Sequence, residues 1–246
     1  MEKQRLDKII ASTGKWSRKD VKLLVKQGRV LVDGVPAASA DDKYDPEMTP
    51  IEVDGEDIGY CSVTWLMMNK PAGYLSATED GKGETVLDLL PRELQRRNLF
   101  PVGRLDKDTE GLLLLTNDGV TAHRLLSPKY HVDKVYYTRV LGKLEEADCA
   151  AFREGIVLGD GLHCMPAELE ILSAGETSEA HVTLREGKFH QVKRMLAYCG
   201  KPVLYLERIR MGNLPLDRTL ERGEFRYLTA EELENLRTFE KTKVKP

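Results

Sequence analysis

The apolar positions near the start of the chain fall three and four apart. Leu6, Ile9 and Ile10 share one face of "RLDKIIAST", which predicts a helix, and "TGKWS" breaks it. Ser17 is placed to cap a second helix through "RKDVKLLVKQG", with Val21, Leu24 and Val25 as its inner stripe. Gly28 closes that helix, and "RVLVDGVPA" reads as a hairpin turning at Asp33-Gly34. From Thr64 the texture changes. "TWLMMNK", "GLLLLTND", "KVYYTRVLG", "MPAELEILS", "AHVTLREG" and "PVLYLERIRMG" are short strand-like runs. Helical stretches lie between and after them: "VLDLLPREL", "TAHRLL", "EEADCAAFREG", "HQVKRMLAYCG" and "TAEELENLRTF". The last opens on a capping box from Thr229 to Glu232. Irregular interleaving with hairpin-like turns predicts an α+β fold with a mixed, largely antiparallel sheet and flanking helices.

Between the two textures runs "DDKYDPEMTPIEVDGEDIGYCS", acidic with two prolines, which reads as a strand and a linker. The expected division is a small αα-β domain with its linker over 1–58, a larger domain over 59–240, and a frayed Lys-rich tail over 241–246. No internal repeat is visible.

Charge changes this picture. The net charge of −3 argues against a nucleic-acid partner only if it is spread evenly. Residues 1–40 hold nine basic side chains against four acidic ones, whereas 41–58 hold eight acids and only Lys43. A further seven basic residues against two acids gather between 185 and 210. A polyanion feels such patches, not the total, because screening cuts the field off within ~8–10 Å. Lys and Arg on the outer faces of the N-terminal helices suit RNA backbone contact; a plain solvated helix pair is the other reading. The apolar runs are too short to cross a bilayer, which takes ~20 residues. "MEKQRLDKII" carries charge where a secretion signal would be apolar, so the expected location is the cytoplasm, away from any membrane. Four cysteines lie far apart without a C-x-x-C pair, and His163 and Cys164 would point to opposite faces of a strand. Reduced thiols and no metal site are expected.

Several chemistries are excluded by spacing. "EDGKGET" has the composition of a phosphate loop without its spacing, and neither G-x-G-x-x-G nor G-x-S-x-G occurs. Asp106 and Asp108 are neighbours on a turn and could not flank a glycosidic bond as an opposed pair. What stands out is "GRLDKDTEGLLLLTNDG", in which Asp106 sits between Arg104 and Lys107 at the mouth of an apolar strand. By itself Asp106 is a turn residue, an ion-pair partner, or a nucleophile or base in a cleft.

This segment resembles the signature G-R-L-D-x-x-T-x-G-L of rRNA pseudouridine synthases of the RsuA group. "MNKPAGYLSAT" matches that family's N-K-P-x-G at Asn69, Lys70, Pro71 and Gly73. "DKVYY" supplies its K-x-Y at Lys134 and Tyr136. "EGKFHQVKRM" matches its E-G-[KR]-x-x-Q motif from Glu186 to Met195, and "LERIRMG" follows. The first 50 or so residues resemble the S4 RNA-binding module through Arg5-Leu6-Asp7-Lys8, Ser17-Arg18 and "QGRVLVDG". Asp33 stands where many members have Asn.

The resemblance implies isomerisation of uridine to pseudouridine in ribosomal RNA. "HQVKRM" and "LERIRMG" look closer to the small-subunit branch than to the large-subunit one. No cofactor is implied, since nothing is oxidised and no group arrives from outside. By the same resemblance Asp106 is the catalytic carboxylate, acting as nucleophile or base, and Lys193 is its paired cation, where many relatives have Arg. A buried anion needs such a cation to stay ionised. Tyr136 is implied to pack against the target base, leaving Tyr137 on the other face as the core tyrosine. The target uridine must leave its stack, and Arg104 is implied to fill the vacated place. Lys70 and Arg194, with Arg5, Lys8, Arg18, Lys19 and Arg29 of the N-terminal module, complete the expected RNA-binding set. Arg194 fits equally well as a solvated helix cation. The expected partner is rRNA, free or within an assembling particle, met by a monomer. A large-subunit substrate is the alternative within the family. A non-catalytic RNA-binding or ribosome-assembly factor on the same scaffold is the alternative outside it.

Overall fold

A computed structural model describes residues 3–46, 48–58, 63–81 and 83–237; Cys61 and the 241–246 tail lie outside them. The chain forms two compact units, and a single cut does not separate them. One runs through Thr64 and takes back Leu90–Leu99; the other holds Trp65–Leu89 and the described chain from Phe100.

The first unit opens with β1 (Gln4–Arg5), α1 (Leu6–Ser12) and α2 (Arg18–Lys26). Ser17 caps α2 as expected: its Oγ accepts from the Asp20 N–H at 3.2 Å while the Asp20 carboxylate accepts from the Ser17 N–H at 2.9 Å. β2 (Val30–Val32) and β3 (Val35–Pro36) form the hairpin, with Asp33 at φ 51° and Gly34 at φ 74°, the paired positive angles that its tight turn requires. β4 (Lys43–Tyr44) pairs with β1, and β5 (Ile51–Val53) and β6 (Glu56–Asp57) extend the small sheet in the order β3-β2-β5-β6. The acidic segment read as strand and linker therefore builds this unit, since Val53 pairs with Val30. Leu6, Ile9, Ile10, Val21, Val30, Ile51 and Val53 close one core.

Asp7 is 1 % exposed and accepts hydrogen bonds from the guanidinium groups of Arg5 and Arg18. Burial alone would raise its carboxyl, but those bonds outweigh it and hold it at about 2. A carboxyl depressed when folded stabilises above its unfolded pKa, and that contribution fades as pH falls towards 2. Asp7→Asn is expected to cost about 2 kcal/mol at neutral pH and low salt, and nothing below pH ~2. Urea unfolding of both proteins across that range checks it; a constant difference would be wrong.

The returning segment carries α3 (Arg92–Gln95). "VLDLLPREL" was expected to be one helix. Val86–Leu89 are turns instead and only four residues become helical, because Pro91 denies the residue before it an α conformation. Arg97 donates to the Thr13 carbonyl, and a Cβ on Gly14 would stand 1.9 Å from the Glu93 carbonyl oxygen. Glycine is what lets these backbones meet.

The second unit begins with β7 (Trp65–Lys70), β8 (Phe100–Pro101) and β9 (Glu110–Thr116), followed by α4 (Gly119–Leu126) and β10 (Lys134–Leu141). Then come α5 (Glu146–Glu154), β11 (Glu168–Ser173), β12 (Thr177–Leu184), α6 (Gln191–Tyr198) and β13 (Val203–Met211). β14 (Leu214–Pro215), β15 (Phe225–Tyr227) and α7 (Ala230–Arg237) end it, with the Thr229–Glu232 capping box in place. The main path of the sheet is β11-β12-β10-β13-β9-β7-β15, with β14 on β13 and β8 on β9. Among the named strands of the described residues only β9 and β13 run parallel, and there a Cβ on Gly111 would stand 2.4 Å from the Arg208 carbonyl oxygen. The architecture is the expected α+β. Leu112–Leu115 are fully buried on both faces, which is why that strand reads as a continuous apolar run. Among the described residues no helix is long and apolar enough to cross a membrane.

Candidate active site

The loop entering β9 carries Arg104, Asp106 and Asp108, and buried groups hold its backbone. Lys70, at the end of β7, is fully buried, and its Nζ donates to the carbonyls of Pro71, Asp106, Lys107 and Thr109 at 2.8–3.2 Å. Ser76 bridges the Leu105 N–H and carbonyl, and the Gly73 N–H donates to the Lys107 carbonyl at 2.8 Å. Burial pushes the Lys70 amine down to about 8, against the pull of Asp108, Glu110 and Asp106. Lys70 was expected to touch RNA. It cannot, because its whole side chain lies inside the protein; it ties the loop down instead.

The Asp106 side chain is 22 % exposed and stands between two bases. Lys193 Nζ is 3.4 Å from Oδ2 and His190 Nε2 is 3.6 Å from Oδ1. Lys193 also donates to Asp108 Oδ1 at 2.5 Å, and that hydrogen bond holds the Asp108 carboxyl below its usual range. The ammonium is thus shared between the two carboxylates. Lys193 lies in the first turn of α6, and His190 ends the turn into that helix. Gln191 fixes that turn, accepting from the Lys188 N–H at 3.0 Å and donating to the buried Glu186 at 2.6 Å. Arg104 is exposed in the same loop.

Tyr136 makes no hydrogen bond to Asp106 or Lys193. It faces the buried side of β10 with Lys134 and Thr138. Tyr137, expected to be the core tyrosine, is the half-buried one, edge-on to His181 and Tyr205. Periodicity assigns the two rings to opposite faces and is silent on which face is covered. Arg208 lies across from Tyr136, donates through Nε to the Leu112 carbonyl at 2.8 Å, and keeps Nη2 buried without a partner. Lys134 is buried nearby; burial first and then Arg208 push its amine down to about 8. Fixed positive charge therefore lies beside Tyr136.

Arg194 pairs with Asp160 at 2.6 Å. In the first unit Arg5 and Arg18 are tied to Asp7, Arg5 also to Asp41, and Arg29 to Asp54 at 2.6 Å; Lys8 and Lys19 are exposed. His190 and Asp108 were missed by sequence reasoning. Both sit inside quoted motifs, yet only the fold shows which loop each meets. Among the described residues no group of three or more His, Cys, Asp or Glu is placed to hold a metal ion.

The RNA pseudouridylate synthase family model matches residues 64–198 and so spans Lys70, Asp106, Tyr136 and Lys193. The S4 domain model matches residues 4–49. The chain belongs to the RNA pseudouridylate synthase family. As a member it is an enzyme that isomerises uridine to pseudouridine in RNA. An uncharacterized RNA pseudouridine synthase of Bacillus subtilis is 48% identical, covering 93% of this chain and 96% of that protein. Ribosomal small subunit pseudouridine synthase A of Vibrio cholerae is 40% identical, covering 94% and 99%. A crystal structure of a pseudouridylate synthase, 37% identical, superposes with a TM-score of 0.66 and covers 94% and 99%.

Proposed function

We propose that this synthase modifies a uridine of small-subunit (16S) ribosomal RNA, with Asp106 as the carboxylate that acts at the ribose. The carrying observation is the Asp106 side chain held between Lys193 and His190 while still open to solvent. The small-subunit substrate is supported by the relatives named for it. Breaking the glycosidic bond calls for an anionic group at the sugar, and the Lys193 ammonium, 3.4 Å from Asp106 Oδ2, sets a positive charge beside that carboxylate. The freed uracil turns and rejoins through C5 with the loss of the C5 proton. Tyr136 packs against the base over the positive charge of Lys134 and Arg208, and Arg104 occupies the place that the uridine leaves. No cofactor takes part, because the product is an isomer of the substrate.

The first unit grips the RNA backbone, chiefly through its exposed lysines, Lys8 and Lys19 among them. Affinity should therefore fall steeply between 50 and 200 mM salt, by more than about tenfold. The enzyme works as a cytoplasmic monomer on rRNA, free or within an assembling small subunit. The test is tritium release from 5-tritiated uridine in 16S RNA, 23S RNA and small-subunit particles, followed by mapping of the modified position. Release from 16S RNA or its particle is expected. Release from 23S RNA alone would overturn the substrate, and release from none would leave an RNA-binding factor.

A further inference from the structure

Single exposed apolar side chains are ordinary on a protein surface and carry no argument alone. Phe189 differs by its surroundings. It is 75 % exposed, yet its ring is stacked on His190, with centroids 3.8 Å apart and planes 18° from parallel. That imidazole is the one 3.6 Å from Asp106, so the phenyl ring stands two contacts from the catalytic carboxylate. The turn that carries both rings is pinned by Gln191 to Lys188 and Glu186, and Lys188 also bonds the His163 carbonyl. One face of the phenyl ring is covered by imidazole and the other is open. Lys188, Lys193 and Arg194 lie within five residues of Phe189 along the chain, each paired with a carboxylate of the protein: Glu186, Asp108 and Asp160.

We infer that the Phe189–His190 pair is a stacking platform for an unpaired RNA base flanking the target uridine. The inference rests on the function proposed above. Extruding a nucleotide strips its neighbours of a stacking partner, at a cost of a few kcal/mol. A fixed ring with a free face beside the reacting sugar replaces that partner for a flanking base. Every base has a π-face, so the platform contributes to affinity and accepts any base.

The test combines activity and binding with full-length protein. On 16S RNA, Phe189→Leu should raise KM about 10- to 100-fold with little change in kcat, while Phe189→Tyr stays near wild type. A nucleotide made abasic at the stacked position should raise KM equally for wild type and add nothing for Phe189→Leu. Independently, a stem-loop RNA with one loop uridine flanked by 2-aminopurine should be quenched on binding by wild type and Phe189→Trp, and much less by Phe189→Leu. If the substrate reading fails, 16S activity is missing for wild type while the quenching contrast persists. Unchanged KM and unchanged quenching in Phe189→Leu would overturn the platform. A KM loss that ignores the abasic change would do so too, by pointing to a protein partner or a local folding defect.

Discussion

Asp106→Asn is expected to reduce pseudouridine formation by at least ~10³-fold while RNA affinity stays within about threefold or rises. The amide has the shape of the carboxylate, so the loop should keep its place. Its backbone is held by Lys70, Ser76 and Gly73, none of which bonds to the Asp106 side chain. Lys193 keeps Asp108 as its nearer partner, so no ammonium is stranded. What disappears is an anion able to attack the sugar or take a proton. Removing one negative charge beside a polyanion cannot weaken its binding. Single-turnover tritium release, filter binding and thermal melting separate the three quantities. Asp108→Asn is the control: that carboxylate is 75 % exposed, and its loss should cost under about tenfold through Lys193. If both variants lose activity equally, the charge balance around Lys193 carries the effect and Asp106 is not the reacting group.

How much of this site was legible in the sequence depends on what each signal reports. The Leu112–Leu115 run was readable as a two-sided buried strand because no amphipathic element has four consecutive leucines. Ser17, Gly28, Asp33-Gly34 and Thr229–Glu232 were readable because caps and tight turns are local. The pairing of Asp106 with Lys193 was accessible only through family resemblance, since 87 positions separate them and no local rule joins a loop to a distant helix start. Lys70 was misjudged for a related reason. A lysine beside proline and glycine looks like a surface cation, and only the tertiary fold supplies the carbonyls that replace its water. The return of Leu90–Leu99 to the first unit was hidden likewise, being encoded in Gly14 and Arg97, far from one another along the chain. His190 was passed over because a histidine in a basic stretch has no periodic or spacing signature; its positive φ of 48° and its ring stack belong to the folded turn.

Lys70→Met should be the most damaging substitution to stability in the second unit. Methionine fills the volume of the side chain but donates nothing. The Asp106 and Lys107 carbonyls keep the Thr109 and Gly73 N–H groups, whereas those of Pro71 and Thr109 lose the donor that Lys70 supplies. Two stranded carbonyls cost about 2–5 kcal/mol, or roughly 5–15 °C in Tm for a chain of this size. Activity should fall further than stability does, because the loop that aims Asp106 is what loosens, and the loss should appear in kcat. The pH dependence gives a second signature. Burial lowers the Lys70 amine from 10.5 to about 8, so between those values the unfolded chain binds the extra proton and folding stability rises with pH. The wild type should therefore gain up to about 3 kcal/mol over the methionine variant across that window. Lys134 titrates in the same range in both proteins and cancels in the difference. Denaturant unfolding at pH 7.5, 9 and 10.5 reads it. A difference that stays flat with pH would mean that the buried ammonium is no strain on the fold, and an unchanged Tm would remove Lys70 as the anchor of the loop that carries Asp106.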